Sequence, residues 1–548
     1  MRQWRKAATV AALGWSGAAI AAPSAQFDFV TYRALDAAPL TPQGSFRNPI
    51  LPGFQPDPSI VRVGNEFYLV TSTFSWFPGL PIYRSTDLVN WRLVGHAIDR
   101  PGQVDFSGLA TNRGLFAPAI THHGGKFWIV NTCIDCKGNF VITADKPQGQ
   151  WSDPVWLDFG GIDPSLVWDE DGRSWIVYND APPGEPLYEG HRAIWIQRFD
   201  PAAMKTLPER KLLVNGGLDL AAKPVWAEGP HIYRHDGWYY LMAAEGGTAD
   251  QHSETIYRSR HIEGPYEKGP VNSILTQRNM DPARPDRVEA TGHADMVRLD
   301  DGSWWGVFLA TRPFAGQSTL LGRETYLLPV NWENGWPRFL DPGAPVPAVV
   351  RKPALPVSAG TDWSTWRDDF DTPLSAEWIG LRTPKATQSV VRDSEAGKLI
   401  LLPGSDGAGG FGKPAFVGRR LRHHASEVTT RVRYEGGDPA DFAGLLAFMD
   451  EAHFVTLGIE GDAVVLRRRA AASEAERGVE LARVKRIGRG DAELRLELNG
   501  GTGRAWTRAA GQATWTAVSP GFSVEPIASV HAGLFTGLVI GPYALDAP

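Results

Sequence analysis

Three acidic residues, Asp57, Asp163 and Glu228, stand at one phase of an internal repeat, and three converging carboxyl groups are the equipment of acid–base hydrolysis. Cleaving a glycosidic bond needs a proton for the leaving oxygen and a nucleophile or activated water at the anomeric carbon. Two carboxyl groups can serve only if they hold different protonation states at one pH, and a third acid nearby pushes the donor's pKa up. Any one of these residues alone reads more simply as a turn residue, since Asp before Pro commonly is one. What argues for chemistry is the repetition.

The repeat consists of a polar residue, Pro or Ala, a small or polar residue, an aliphatic, a glycine turn and then aromatics. Its copies begin at Asp57, Ala117, Asp163, Gly229 (with Glu228 just before) and His293, so they are 60, 46, 66 and 64 residues apart. That spacing accommodates a four-stranded sheet plus loops, and short β-branched and aromatic runs broken by Gly and Pro are a strand pattern. The fold class expected is all-β: a five-bladed β-propeller over 46–341, with the first polar residue of each repeat facing the axis. Pro342 to Thr361 holds five prolines in twenty residues, which predicts a stiff linker over 342–365. Beyond it, Leu494, Leu496 and Leu498 alternate with Glu493, Arg495 and Glu497, a strand with one buried face. A β-sandwich over 366–548 follows.

Composition narrows the function. The 548 residues carry a formal net charge of −6 with no basic stripe, which argues against nucleic acid as a partner. The 21 tryptophans suit sugar stacking as well as strand packing. Arg2, Arg5 and Lys6 precede a small apolar run from Ala7 to Ile20 and small residues through Ala22, the pattern of an export signal over 1–25. The mature protein is expected to be secreted, and periplasmic where the host has two membranes, with no membrane span. Nothing in the composition excludes association into an oligomer. Cys133 and Cys136, the two cysteines, fit a local loop staple or two free thiols better than a redox or zinc site.

The same stretches resemble glycoside hydrolase family 43, in its β-xylosidase and α-L-arabinofuranosidase branch. Asn48 to Ile60, Thr73 to Gly79, Ser85 to Trp91, Gly161 to Leu166, Glu228 to His231 and Thr291 to Asp295 carry the likeness, which continues weakly into a concanavalin-like C-terminal sandwich. The resemblance implies inversion by a single displacement, with Asp57 as general base, Glu228 as general acid and Asp163 as the residue that modulates and orients the acid. It implies that Arg312 binds sugar hydroxyls, against the alternative of a structural salt bridge. Phe74 and Trp76 are candidates for a stacking wall, and Phe116 stands where many xylosidase relatives carry Trp, which leaves xylose or arabinofuranose open. His252 is either a pocket residue or an ordinary loop histidine. His293 matches a histidine associated with a calcium ion through water, or is simply a hydrogen-bonded structural residue; no cofactor is otherwise required. The substrates implied are xylo-oligosaccharide or arabinoxylan fragments, cut from the non-reducing end. Two further readings compete: a non-catalytic sugar-binding propeller, which would not need the full acid set, and endo-cleavage of arabinan, which a long open cleft would favour.

Overall fold

The computed structural model describes residues 23–36, 40–382, 390–393, 396–488 and 490–547. The export stretch lies almost wholly outside them. Among the described residues no helix is long and apolar enough to cross a membrane.

Five separate antiparallel sheets make the propeller. Blade one is built from Ser59–Val63, Glu66–Val70, Gly79–Ser85 and Arg92–Ile98. Blade two uses Ala119–His123, Lys126–Ile134, Gly138–Ala144 and Val155–Trp156, and blade three Ile162–Trp168, Ser174–Asp180, Ala193–Asp200 and Lys205–Asn215. Blade four runs Glu228–His235, Trp238–Glu245, Ser253–Ser259 and Glu267–Lys268; blade five runs Glu289–Arg298, Trp304–Thr311, Glu324–Glu333 and Trp336–Arg338. Each repeat spans the innermost strand of a blade, its turn, and the second strand, where the aromatics pack between neighbouring sheets.

The polar residue that opens each repeat has a distinctive backbone. Asp57, Asp163, Gly229 and His293 all take left-handed φ values, of 53°, 52°, 57° and 52°. Non-glycine residues seldom adopt this conformation, which is paid for by the surrounding structure and clusters at functional sites. In blades three, four and five the strand pairing shifts register around these residues. The bulges re-aim side chains at the axial end of the blade.

The second domain is a two-sheet sandwich whose facing strands enclose an aliphatic core that includes Leu399, Val428, Leu445, Leu457, Leu494 and Leu496. The Leu494–Leu498 alternation does put the leucines inside. One strand comes from the opposite end of the chain: Ser24–Ala34 pairs with Ala425–Glu435 and with Lys398–Leu401. Val349–Arg351, within the proline-rich stretch, pairs with Ser45–Arg47.

The two domains are stitched together. Trp76–Phe77 of the first blade pairs with Gly380–Leu381 of the sandwich. Glu451, in a sandwich turn, accepts from the Thr111 backbone N–H and from its hydroxyl at 2.7 Å, and is also paired with Arg382. Cys133 and Cys136 are joined as a disulfide at the end of a blade-two hairpin, so the staple, not the free thiols, describes them.

Candidate active site

Asp57, Asp163 and Glu228 open onto one cavity of ≈ 330 Å³ at the propeller axis, together with His293 and Arg323. Each of the three acids is delivered by a different blade, so their meeting follows from the repeat.

The three acids sit in different electrostatic settings. Asp57 is 5% exposed and accepts from Arg323 Nη1 at 2.7 Å and from the Ser72 hydroxyl. Its oxygens are thus engaged by a charge-assisted pair and a hydroxyl donor. Glu228 is half-buried and has no such partner among the described residues. Burial, followed by the charge of Asp57, pushes its carboxyl up to about 8, against a smaller opposing pull from Arg323 and Arg192. Asp163 is raised as well, by burial first and then by Glu228 and Asp57, although it accepts from the Gly229 N–H. The like-charge push on Glu228 thus comes from Asp57, while Asp163 is bonded to the backbone of the residue next to Glu228. The cavity thus sets an arginine-paired carboxyl group, Asp57, against one, Glu228, that burial and a like charge bias toward keeping its proton at neutral pH.

Aromatic rings close the rest. Phe74, Phe116 and Phe535 line the cavity, with Phe116 stacked on Phe535 at 6.5 Å and Phe74 edge-on to both. Phe535 belongs to the sandwich. Its loop is tied to blade five by hydrogen bonds from Ser529 N to Thr319 O and from Leu538 N to Leu320 O, both just before Arg323. The Arg323 guanidinium in turn lies 5.2 Å from the Phe535 ring. The sandwich therefore supplies a wall of the site as well as a neighbour for it.

Residues 46–337 match the profile of glycosyl hydrolases family 43, and 367–548 match the β-xylosidase C-terminal concanavalin A-like domain. The chain belongs to family 43. It is 40% identical over 428 residues to xylosidase/arabinosidase 43B of Humicola insolens, covering 75% of this chain and 76% of that one. It is 36% identical over 511 residues to the non-reducing end α-L-arabinofuranosidase BoGH43B of Bacteroides ovatus, covering 92% of each. Among solved structures, a GH43_12 protein from a capybara gut metagenome superposes with a TM-score of 0.87 at 34% identity, covering 96% of this chain and 100% of that one.

In this family 43 glycosidase the site differs from the sequence reading at several positions. Arg312 is not a lining residue. It makes a two-pronged ion pair with the buried Glu324, at 2.7 and 2.8 Å, and its carbonyl contacts His424 Nε2 at 2.7 Å. The arginine that faces the acids is Arg323, which begins the next strand's approach to the axis. Trp76 is fully buried and packs edge-on against Phe416 and Phe448, because its strand pairs with the sandwich; it belongs to the domain interface rather than the sugar wall.

The two histidines act from beneath. His252 is 2% exposed, its Nδ1 lies 3.1 Å from the Ala290 carbonyl, and a Cβ on Gly292 would come within 2.8 Å of its ring. His293 packs under Gly229 in the same way: a Cβ there would sit 2.9 Å from the imidazole. Glycine is therefore required at 229 by this close approach, since Asp57, Asp163 and His293 hold the same left-handed φ with side chains. Burial drives His252 down to about 3 and His293 to about 4, so both rings are neutral. The carboxylates around His293 are not free to ligate calcium directly. Calcium takes six to eight oxygens, whereas Asp57 is committed to Arg323 and Ser72, and Asp295 to Ser59, Ile60, Tyr233 and Met296. Among the described residues no group of three or more His, Cys, Asp or Glu is arranged to hold a metal ion.

Sequence reasoning missed Arg323 and Phe535. Arg323 lies outside the repeat phase, in Leu321-Gly322-Arg323-Glu324, and Phe535 is 212 residues further on.

Proposed function

We propose that the protein releases single pentose units from the non-reducing ends of xylan-derived oligosaccharides, as an exo-acting, inverting β-1,4-xylosidase. One observation carries this reading: a small, capped cavity holds an arginine-paired carboxylate and a proton-retaining carboxyl together. Water activated by Asp57 attacks the anomeric carbon as Glu228 passes its proton to the departing oxygen, so the anomeric configuration inverts. Asp163 keeps Glu228 aligned, and Arg323 pairs with Asp57, fixes its orientation and offers donors to sugar hydroxyls. Phe74, Phe116 and Phe535 supply apolar surface for the terminal ring.

The cavity's size supports exo-action, since ≈ 330 Å³ is near the small end of the about 300–1,000 Å³ usual for ligand pockets. The Phe535 loop opposes the endo reading. Removal of α-L-arabinofuranose is the second reading, favoured by the relative that shares 92% of the chain. An exported location remains part of the proposal, and fractionating the host's cells checks it. The deciding experiment compares pentose release from aryl β-xyloside, aryl α-arabinofuranoside and xylo-oligosaccharides, with NMR of the first-formed anomer. Preferential xylose release with inversion is expected. No release from any of them, or retention of configuration, overturns the reading.

A further inference from the structure

The cavity has a fourth aromatic lining residue besides the three phenylalanines, and nothing above has used it. Trp226 lines the cavity two residues before Glu228. Its backbone is in the left-handed region, with φ 54°, unusual for so bulky a residue. The strain is held in place from both sides: Trp226 N donates to Gly190 O at 2.8 Å, and the Val225 carbonyl accepts from Gly246 N at 2.8 Å. The Arg192 guanidinium sits 4.5 Å from the Trp226 ring centre. Among the described residues no carboxylate is ion-paired with that guanidinium, so its donors are not spent on one.

The chemistry gives this residue a role. In a single displacement the acid protonates the departing oxygen, so the leaving sugar must lie on the acid's side of the cavity, away from the base. Arg323 and the phenylalanines gather around Asp57, where the terminal pentose belongs; Trp226 and Arg192 belong to the Glu228 side. A ring with a cation on it offers stacking surface and hydroxyl donors at once. Strained backbone is retained where it positions something.

We propose that Trp226, backed by Arg192, is the platform for the leaving-group sugar and makes the enzyme prefer oligosaccharides to substrates lacking a second ring. The proposal rests on the reading of Glu228 as proton donor.

Two substrates separate the outcomes. Xylobiose has a leaving sugar; β-xylosyl fluoride has none and leaves without needing a proton. If the parent enzyme cleaves α-arabinofuranosides instead, arabinobiose and arabinofuranosyl fluoride take their places. For Trp226→Ala, kcat/KM on the disaccharide is expected to fall about tenfold or more, chiefly through KM, while the fluoride stays within about twofold. Trp226→Phe should recover most of the loss, and the alkaline limb of the disaccharide pH profile should not move. Equal losses on both substrates, or a shifted limb, would make Trp226 a support for Glu228 rather than a platform. Should Trp226→Ala not fold, crystals of Glu228→Gln soaked with the disaccharide decide: the reducing-end ring is expected against Trp226, and density elsewhere overturns the proposal. A parent enzyme that hydrolyses none of these compounds would sink the functional reading itself, a different failure.

Discussion

Buried carboxyl groups in the sandwich and two at the propeller axis, Glu228 and Asp163, have opposite fates. In the sandwich, Glu377 is driven up by burial, but Arg422, Arg419 and Arg420 more than reverse it and the net shift is downward. Its ion pair with Arg422 spans 2.6 Å. Glu493 is similarly held by Arg431 and Arg508, and Glu460 by Arg467, Arg477 and Arg483. At the propeller axis, Glu228 and Asp163 share a cavity with Asp57, and the Arg323 guanidinium there is committed to Asp57. The sandwich spends its arginines on neutralising acids and obtains structure. The axis withholds them and obtains a group that keeps its proton at neutral pH, as catalysis by a general acid requires.

Several experiments would break or sharpen that contrast. The largest effect is expected at the axis: Asp57→Ala and Glu228→Ala should each lower turnover by ~10³-fold or more on unactivated pentosides, with the fold retained by circular dichroism. A near-normal rate for either removes its assigned role. The two arginines come next. Arg323→Leu should cost ~10²–10³-fold in kcat/KM, since it frees Asp57 from its partner, whereas Arg312→Leu should leave kinetics within about threefold. Similar kinetic losses at both would mean that the site extends to Arg312.

Stability should move in opposite directions in the two domains. Glu377→Ala leaves buried guanidinium charge uncompensated and should cost ~3–5 kcal/mol in chemical denaturation. For Glu228, the folded pKa of about 8 lies above the ordinary 4.5, so between those values the folded state binds more protons than the unfolded. Its contribution is therefore fully present at low pH and is lost as pH rises through about 8. Glu228→Gln, which cannot ionise, should stabilise the fold by ~1–2 kcal/mol at alkaline pH and by little at pH 4. Equal stability of the parent and Glu228→Gln at every pH would contradict the shift. The smallest effect concerns the wall shared between the domains: Phe535→Ala should raise KM about tenfold and change kcat less, because it removes contact surface without touching an acid.

How far the sequence foretold this depends on whether a feature was periodic. Asp57, Asp163, Glu228 and His293 were legible because each opens a blade, and four of the five repeat-opening positions share the same left-handed backbone. Phe74 and Phe116 lie in stretches flanking those positions, and they too reach the cavity. Arg323 and Phe535 follow no period. Their placement comes from tertiary contacts between Thr319–Leu320 and the loop before Val539, which local pattern does not encode. Trp76 misled for the complementary reason: its neighbourhood is that of a sugar site, but strand pairing with Gly380–Leu381 turns it toward the sandwich. The strand Ser24–Ala34 was hidden because it begins within the last two residues of the stretch read as an export signal, 1–25, and pairs with residues some four hundred positions away.

The most direct test of the account is the pH dependence of kcat/KM on a pentoside with a poor leaving group, measured for the parent enzyme and for Glu228→Gln. The parent should lose activity as pH rises through about 8, and the variant's small residual rate should show no such limb. A parent profile flat to pH ~10, or the same alkaline limb surviving in Glu228→Gln, would contradict the claim that this carboxyl carries the proton.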